Sequence, residues 1–133
     1  MEDFTLEQIN NITEGYRNLA RALNEFQGQH WQELDDEQLL DINAYQNSLL
    51  NRAHDLQTRT VRPAFPNASD VADQIRLATD KARMGLQYVQ DLPVALNIGA
   101  IVVAMASYVA RPNVRSFQTT LRELDELLKS KAE

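Results

Sequence analysis

The chain contains no cysteine, which excludes a disulfide framework, a thiolate nucleophile and a Cys-ligated metal. Histidine is scarce: His30 and His54 are the only two, and no His-x-x-x-His, Glu-x-x-His or His-Glu-x-x-His pattern surrounds them. The usual helical metal sites are therefore missing. Glycine and proline number four each. Obligatory turns are few, and long helices are favoured over many short strands. No glycine-rich phosphate loop and no Gly-x-Ser-x-Gly elbow occurs. No carboxylate pair stands apart either. Asp35 and Asp36 fit a helix start, and Asp41 falls on the polar side of the same helix. The chain is accordingly expected to be non-enzymatic, with no cofactor and no metal.

Positive charge is also in short supply. The net charge is −6. The first 66 residues hold 11 acidic and 5 basic side chains, and the rest hold 8 of each. This balance argues against nucleic-acid binding, which needs a basic footprint. The N-terminal MEDFTLEQ is acidic and lacks the basic and apolar regions of a secretory signal. A cytoplasmic location is the expectation.

What the chain does have is one long apolar run. Residues 94–110 read VALNIGAIVVAMASYVA, with Asn97 and Ser107 the only strongly polar side chains. A helix that is apolar all round is either buried among other helices or sits in lipid. The expected fold is an all-α, single-domain bundle of about five helices around this apolar helix. The expected spans are 5–27, 35–61, 70–90, 93–110 and 113–130.

The first two spans open with the same device. Thr5 with Gln8, and Asp35 with Gln38, are capping boxes, and Phe4/Ile9 and Leu34/Leu39 are the matching hydrophobic staples. Ile9, Ile12, Tyr16, Leu19, Leu23 and Phe26 form the first stripe, and Gly28 is the expected stop. Leu39, Ile42, Leu49, Ala53, Leu56 and Thr60 form the second. Leu50 widens it, and Gln46 interrupts it. Pro63 is expected to end that helix near Val61. The segment RPAFPNAS, residues 62–69, is the clearest loop, with Ser69 as the next N-cap. The third stripe is Val71, Ile75, Ala78, Ala82, Leu86 and Val89, with Leu77, Met84 and Tyr88 as a second row. Asp91 and Pro93 open the apolar helix, and Asn113 caps the last one. In that last helix Arg122/Glu126 and Asp125/Lys129 are spaced as i, i+4 ion pairs.

Ample helical surface without a catalytic set points to a protein–protein interaction module, with a second copy of the chain as one partner. Trp31, Arg52, Arg59, Arg62 and Phe65 are the candidate contact residues. The three arginines, seven and three apart, would share one face of the second helix. Trp31 would cap the core or mark the partner site, and Phe65 would tuck onto the bundle. Asn97 and Tyr108 are expected as buried polar groups, fixing the register of the bundle or lining a pocket. Two alternatives follow from the same run. It approaches the about 20 residues that span a bilayer, so its release into a membrane is one. A small apolar ligand near Asn97 and Tyr108 is the other.

Overall fold

The structure is a computed structural model and describes residues 1–132, with side chains described as far as Lys129. It is an all-α, single-domain bundle of five helices. They are α1 (Leu6–Gln29), α2 (Asp36–Gln57), α3 (Ala68–Tyr88), α4 (Leu92–Ala110) and α5 (Val114–Ala132). Both capping boxes form. Thr5 Oγ1 accepts from the Gln8 amide at 3.1 Å and Gln8 Oε1 accepts from the Thr5 amide at 2.9 Å. Asp35 and Gln38 do the same at 2.8 and 3.0 Å. Each box satisfies two N–H groups that the first turn cannot bond internally.

The helices alternate in direction. Gln27 Nε2 donates to Asn43 Oδ1 at 3.0 Å, while Arg17 donates to Gln57, so α1 and α2 run antiparallel. Gln74–Gln118 and Lys81–Asp125 contacts make α3 and α5 parallel. Helix α1 packs on α2 and α3, whereas α4 packs on α5, α2 and α3. The apolar helix is thus flanked by three of the four helices expected around it. Helix α1 lies beyond α2 and α3.

Several boundaries differ from expectation. Gly28 does not stop α1, because it lies inside the helix without positive φ. The end comes at His30, whose ring stacks on Phe26 at 4.2 Å. Helix α2 stops at Gln57, a turn before Val61. There Thr58 Oγ1 donates to the His54 carbonyl at 2.9 Å, and Arg59 takes φ 59°. The left-handed residue turns the chain before Pro63 is reached. Asn67, not Ser69, occupies the N-cap of α3, and Ser69 Oγ instead accepts from Gln8 Nε2 at 3.3 Å. Asp91 Oδ1 accepts from the Val94 amide at 3.3 Å, and Asn113 Oδ1 from the Ser116 amide at 3.0 Å, so both expected caps stand. Asp125 pairs with Lys81 of α3 at 3.2 Å, not with Lys129.

The segment read as a loop is tied down. Ala64–Phe65 pairs antiparallel with Glu2–Asp3, register Glu2↔Phe65. Phe65 is fully buried against Phe4, ring centroids 5.7 Å apart.

Candidate functional site

Helix α4 is buried along Val94, Ile98, Val102, Met105 and Val109, with Ala95, Gly99 and Ala106 beside them. Its opposite face carries Pro93, Asn97, Ala100, Ala104, Ser107 and Arg111. These recur at steps of four and three, which is one stripe of a helix. Pro93, Asn97 and Arg111 are exposed, and Ala100, Ala104 and Ser107 are half-buried. Leu96, Val103 and Tyr108, also half-buried, flank the stripe. Mean hydropathy over the most apolar stretch of α4 is 1.9, and 44% of that stretch is fully buried, with most of the rest half-buried. Three neighbouring helices cover one side and leave the other facing out.

Helix α2 borders this face and runs parallel to α4. A Cβ on Gly99 would lie 2.6 Å from Tyr45 Cδ2, so the glycine lets the Tyr45 ring lie flat on α4. Two turns further on, Arg52 Nη2 donates to Ser107 Oγ at 3.2 Å. Burial and the Asp41 carboxylate push the Tyr45 phenol up from its ordinary range. That places Asp41 close to Tyr45, at the N-terminal end of the α2–α4 surface. Asp41 and Asp91 lie towards one end of the surface; towards the other lie Arg52 and Arg111, with Asp55 lining one surface depression beside Arg52. Among the described residues, the ion pairs are His30–Glu33, Arg62–Asp3 and Lys81–Asp125. Arg52 and Arg111 belong to none of them.

The expected contact residues do not form one site. Arg52, Arg59 and Arg62 share no helix face, because α2 ends before the last two. Arg52 reaches α4, Arg59 is exposed in the turn, and Arg62 pairs with Asp3 at 3.4 Å. Trp31 is 58% exposed, so it does not cap the core. Phe65 has no accessible surface and cannot meet a partner. Leu50, expected in the α2 stripe, is exposed, as are Leu77, Met84 and Tyr88 on α3.

Asn97 is exposed, so it neither fixes the bundle from inside nor lines an internal pocket. The buried polar link is elsewhere. Gln27, only 5% exposed, donates to Asn43 and accepts from Gln46 Nε2 at 3.0 Å. Gln46 interrupting the α2 stripe was the sequence signal for this contact. A shallow apolar groove of about 620 Å³ lies between α3, α4 and α5, lined by Met84, Tyr88, Val89, Val94 and Leu128. Neither Asn97 nor Tyr108 borders it. Among the described residues no three His, Asp or Glu side chains gather as a metal site.

Fold and surface together define a small helical bundle with one incompletely covered apolar helix. The chain matches no protein-family model, no curated protein and no solved structure, so no relative supplies an activity.

Proposed function

We propose that this protein is a non-enzymatic protein–protein interaction module that binds through the outward face of α4. The observation that carries the reading is the mismatch between composition and burial. The most apolar helix of the bundle has less than half of its apolar stretch fully buried. The remainder is mostly half-buried, with Leu96, Ile101, Val103 and Tyr108 among it, and a docked partner would complete the burial of these side chains. Ala104→Glu places a charge in the middle of the face, on a half-buried helical site. Tagged wild type should retain a defined partner, or itself, and the variant should lose it at unchanged helicity. Equal retention by both proteins would remove α4 from the interaction.

The same observation favours a second reading, insertion of α4 into a bilayer. The helix has 19 residues, close to the about 20 that span a hydrocarbon core. Flotation with vesicles at neutral and acidic pH separates the two. Protein that stays with the aqueous fraction at both values excludes insertion.

A further inference from the structure

We infer that the partner of the α4 face is a second copy of this chain, docked antiparallel about a two-fold axis that passes between Ala100 and Ala104. The inference rests on the interaction reading above and deepens it. The face is self-complementary in that orientation. The two-fold exchanges Ala100 with Ala104 and sets Asn97 of each copy beside Ser107 and Tyr108 of the other. Asn97 is exposed, and Ser107 accepts a bond from Arg52 while keeping its own O–H to donate. The apolar middle thus meets apolar middle, and each polar end meets a polar end.

Charge selects this orientation over the parallel one. Helix α2 lies on the same side of α4 in both copies, so the two-fold also runs α2 antiparallel to its mate. The Asp41 end of one copy then faces the Arg52 and Arg111 end of the other. Arg52 is half-buried and has no carboxylate partner in its own chain among the described residues. A parallel pair would instead bring Arg111 against Arg111, which like-charge repulsion disfavours, and would set the two α2 helices on opposite sides of the α4 pair, where Arg52 meets no Asp41. Size sets the strength. A 19-residue helix is about 28 Å long and 10–12 Å wide, a footprint of roughly 300 Å². Stable dimers bury about 800 Å² per partner. The α2 flank must therefore contribute, and the dimer should dissociate in the micromolar range.

The test is sedimentation velocity across a concentration series, with charge-reversal variants. Wild type should pass from monomer to dimer as concentration rises. Asp41→Arg and Arg52→Glu should each weaken the dimer roughly tenfold or more, and the double variant should recover most of the loss. Should Arg52→Glu fail to fold, Arg52→Gln with Asp41→Arg carries the test: both weaken the dimer and reduce its salt dependence. The absence of cysteine makes cross-linking unambiguous. Copies bearing Asn97→Cys should cross-link through a short linker to copies bearing Ser107→Cys. They should not cross-link to each other, since ten helical residues span about 15 Å. A monomer at every concentration up to about 1 mM, charge variants without effect, or Asn97→Cys self-linkage each overturns the inference. So does vesicle binding by the monomer that Ala104→Glu abolishes. A monomer that captures another protein through α4 sinks the second-copy inference and leaves the interaction reading standing. A monomer that captures nothing sinks both.

Discussion

Gly15 gives a direct measure of how tightly α1 and α3 pack. A Cβ there would sit 2.8 Å from Thr79 Oγ1 and 3.3 Å from Thr79 Cβ. Thr79 cannot swing away cheaply. It is buried, branched at Cβ, and its Oγ1 donates to the Arg76 carbonyl at 3.0 Å. Replacing glycine by alanine inside a helix ordinarily stabilises by about 1 kcal/mol. Overpacking a close contact costs about 1–3 kcal/mol. The second effect wins, so Gly15→Ala should destabilise the protein by about 1 kcal/mol, a fall in Tm of about 3–5 °C. Thr79→Ala removes the obstructing Oγ1, loses one local hydrogen bond and improves helix propensity. Alone it should be neutral within about 1 kcal/mol. In the double variant the helical gain from replacing Gly15 should reappear, giving a favourable coupling of at least about 1 kcal/mol. Urea unfolding followed by far-UV circular dichroism measures all three. A Gly15→Ala protein more stable than wild type by the full propensity gain would refute the close approach of the two helices.

Tyr16 Oη is buried without a hydrogen-bond partner, so Tyr16→Phe should raise stability by about 1 kcal/mol in urea unfolding. Burial drives the Tyr16 phenol well above its ordinary 10.0, with Arg52 pulling the other way. The unfolded phenol ionises first, so wild-type stability should fall as pH rises past about 10, and Tyr16→Phe should lose less over that range. Thr5→Ala and Asp35→Ala each break a formed capping box and should each cost about 1 kcal/mol. Asn67 caps α3 without a side-chain bond, so Asn67→Ala should stay within about 0.5 kcal/mol. Phe65→Ala empties a fully buried site and should cost about 3–5 kcal/mol, with residues 58–67 becoming the first segment cut in limited proteolysis.

The helix starts other than that of α3 were legible because a cap is a local contract between residues three apart. Thr5–Gln8, Asp35–Gln38, Asp91 and Asn113 needed no tertiary information. The ends of α1 and α2 were not legible, for a related reason, whereas the end of α4 at Ala110 was. Glycine is the usual mark of the left-handed position, but Gly28 stays helical and Arg59 takes that position in its place. The Arg59 conformation is held by the local bonds of the turn, among them Arg59 N to the Leu56 carbonyl at 3.3 Å and Val61 N to the Asp55 carbonyl at 3.2 Å. Ending α2 there separates the three arginines and dissolves the basic face expected of them. Phe65 fails as a contact residue because β pairing with Glu2–Asp3 draws its segment onto the core.

The outward direction of α4 is the harder case, because a helix without a polar face gives periodicity nothing to grip. Yet the run is not uniform. Pro93, Asn97, Ala100, Ala104, Ser107 and Arg111 are weakly apolar, polar or small, while Val94, Ile98, Val102, Met105 and Val109 are large and apolar. Both sets recur at three and four, on opposite sides. The contrast lies in side-chain bulk more than in polarity, and a scale built on polarity passes over it. The large set went where three helices could close around it, and the small and polar set where cover is only partial. A face kept apolar without being large suits close approach by another helix better than immersion in lipid. Lipid has no use for small residues at its boundary, whereas helix partners do, because they allow backbones to come near. On that ground a helical partner fits the composition of α4 better than a bilayer does.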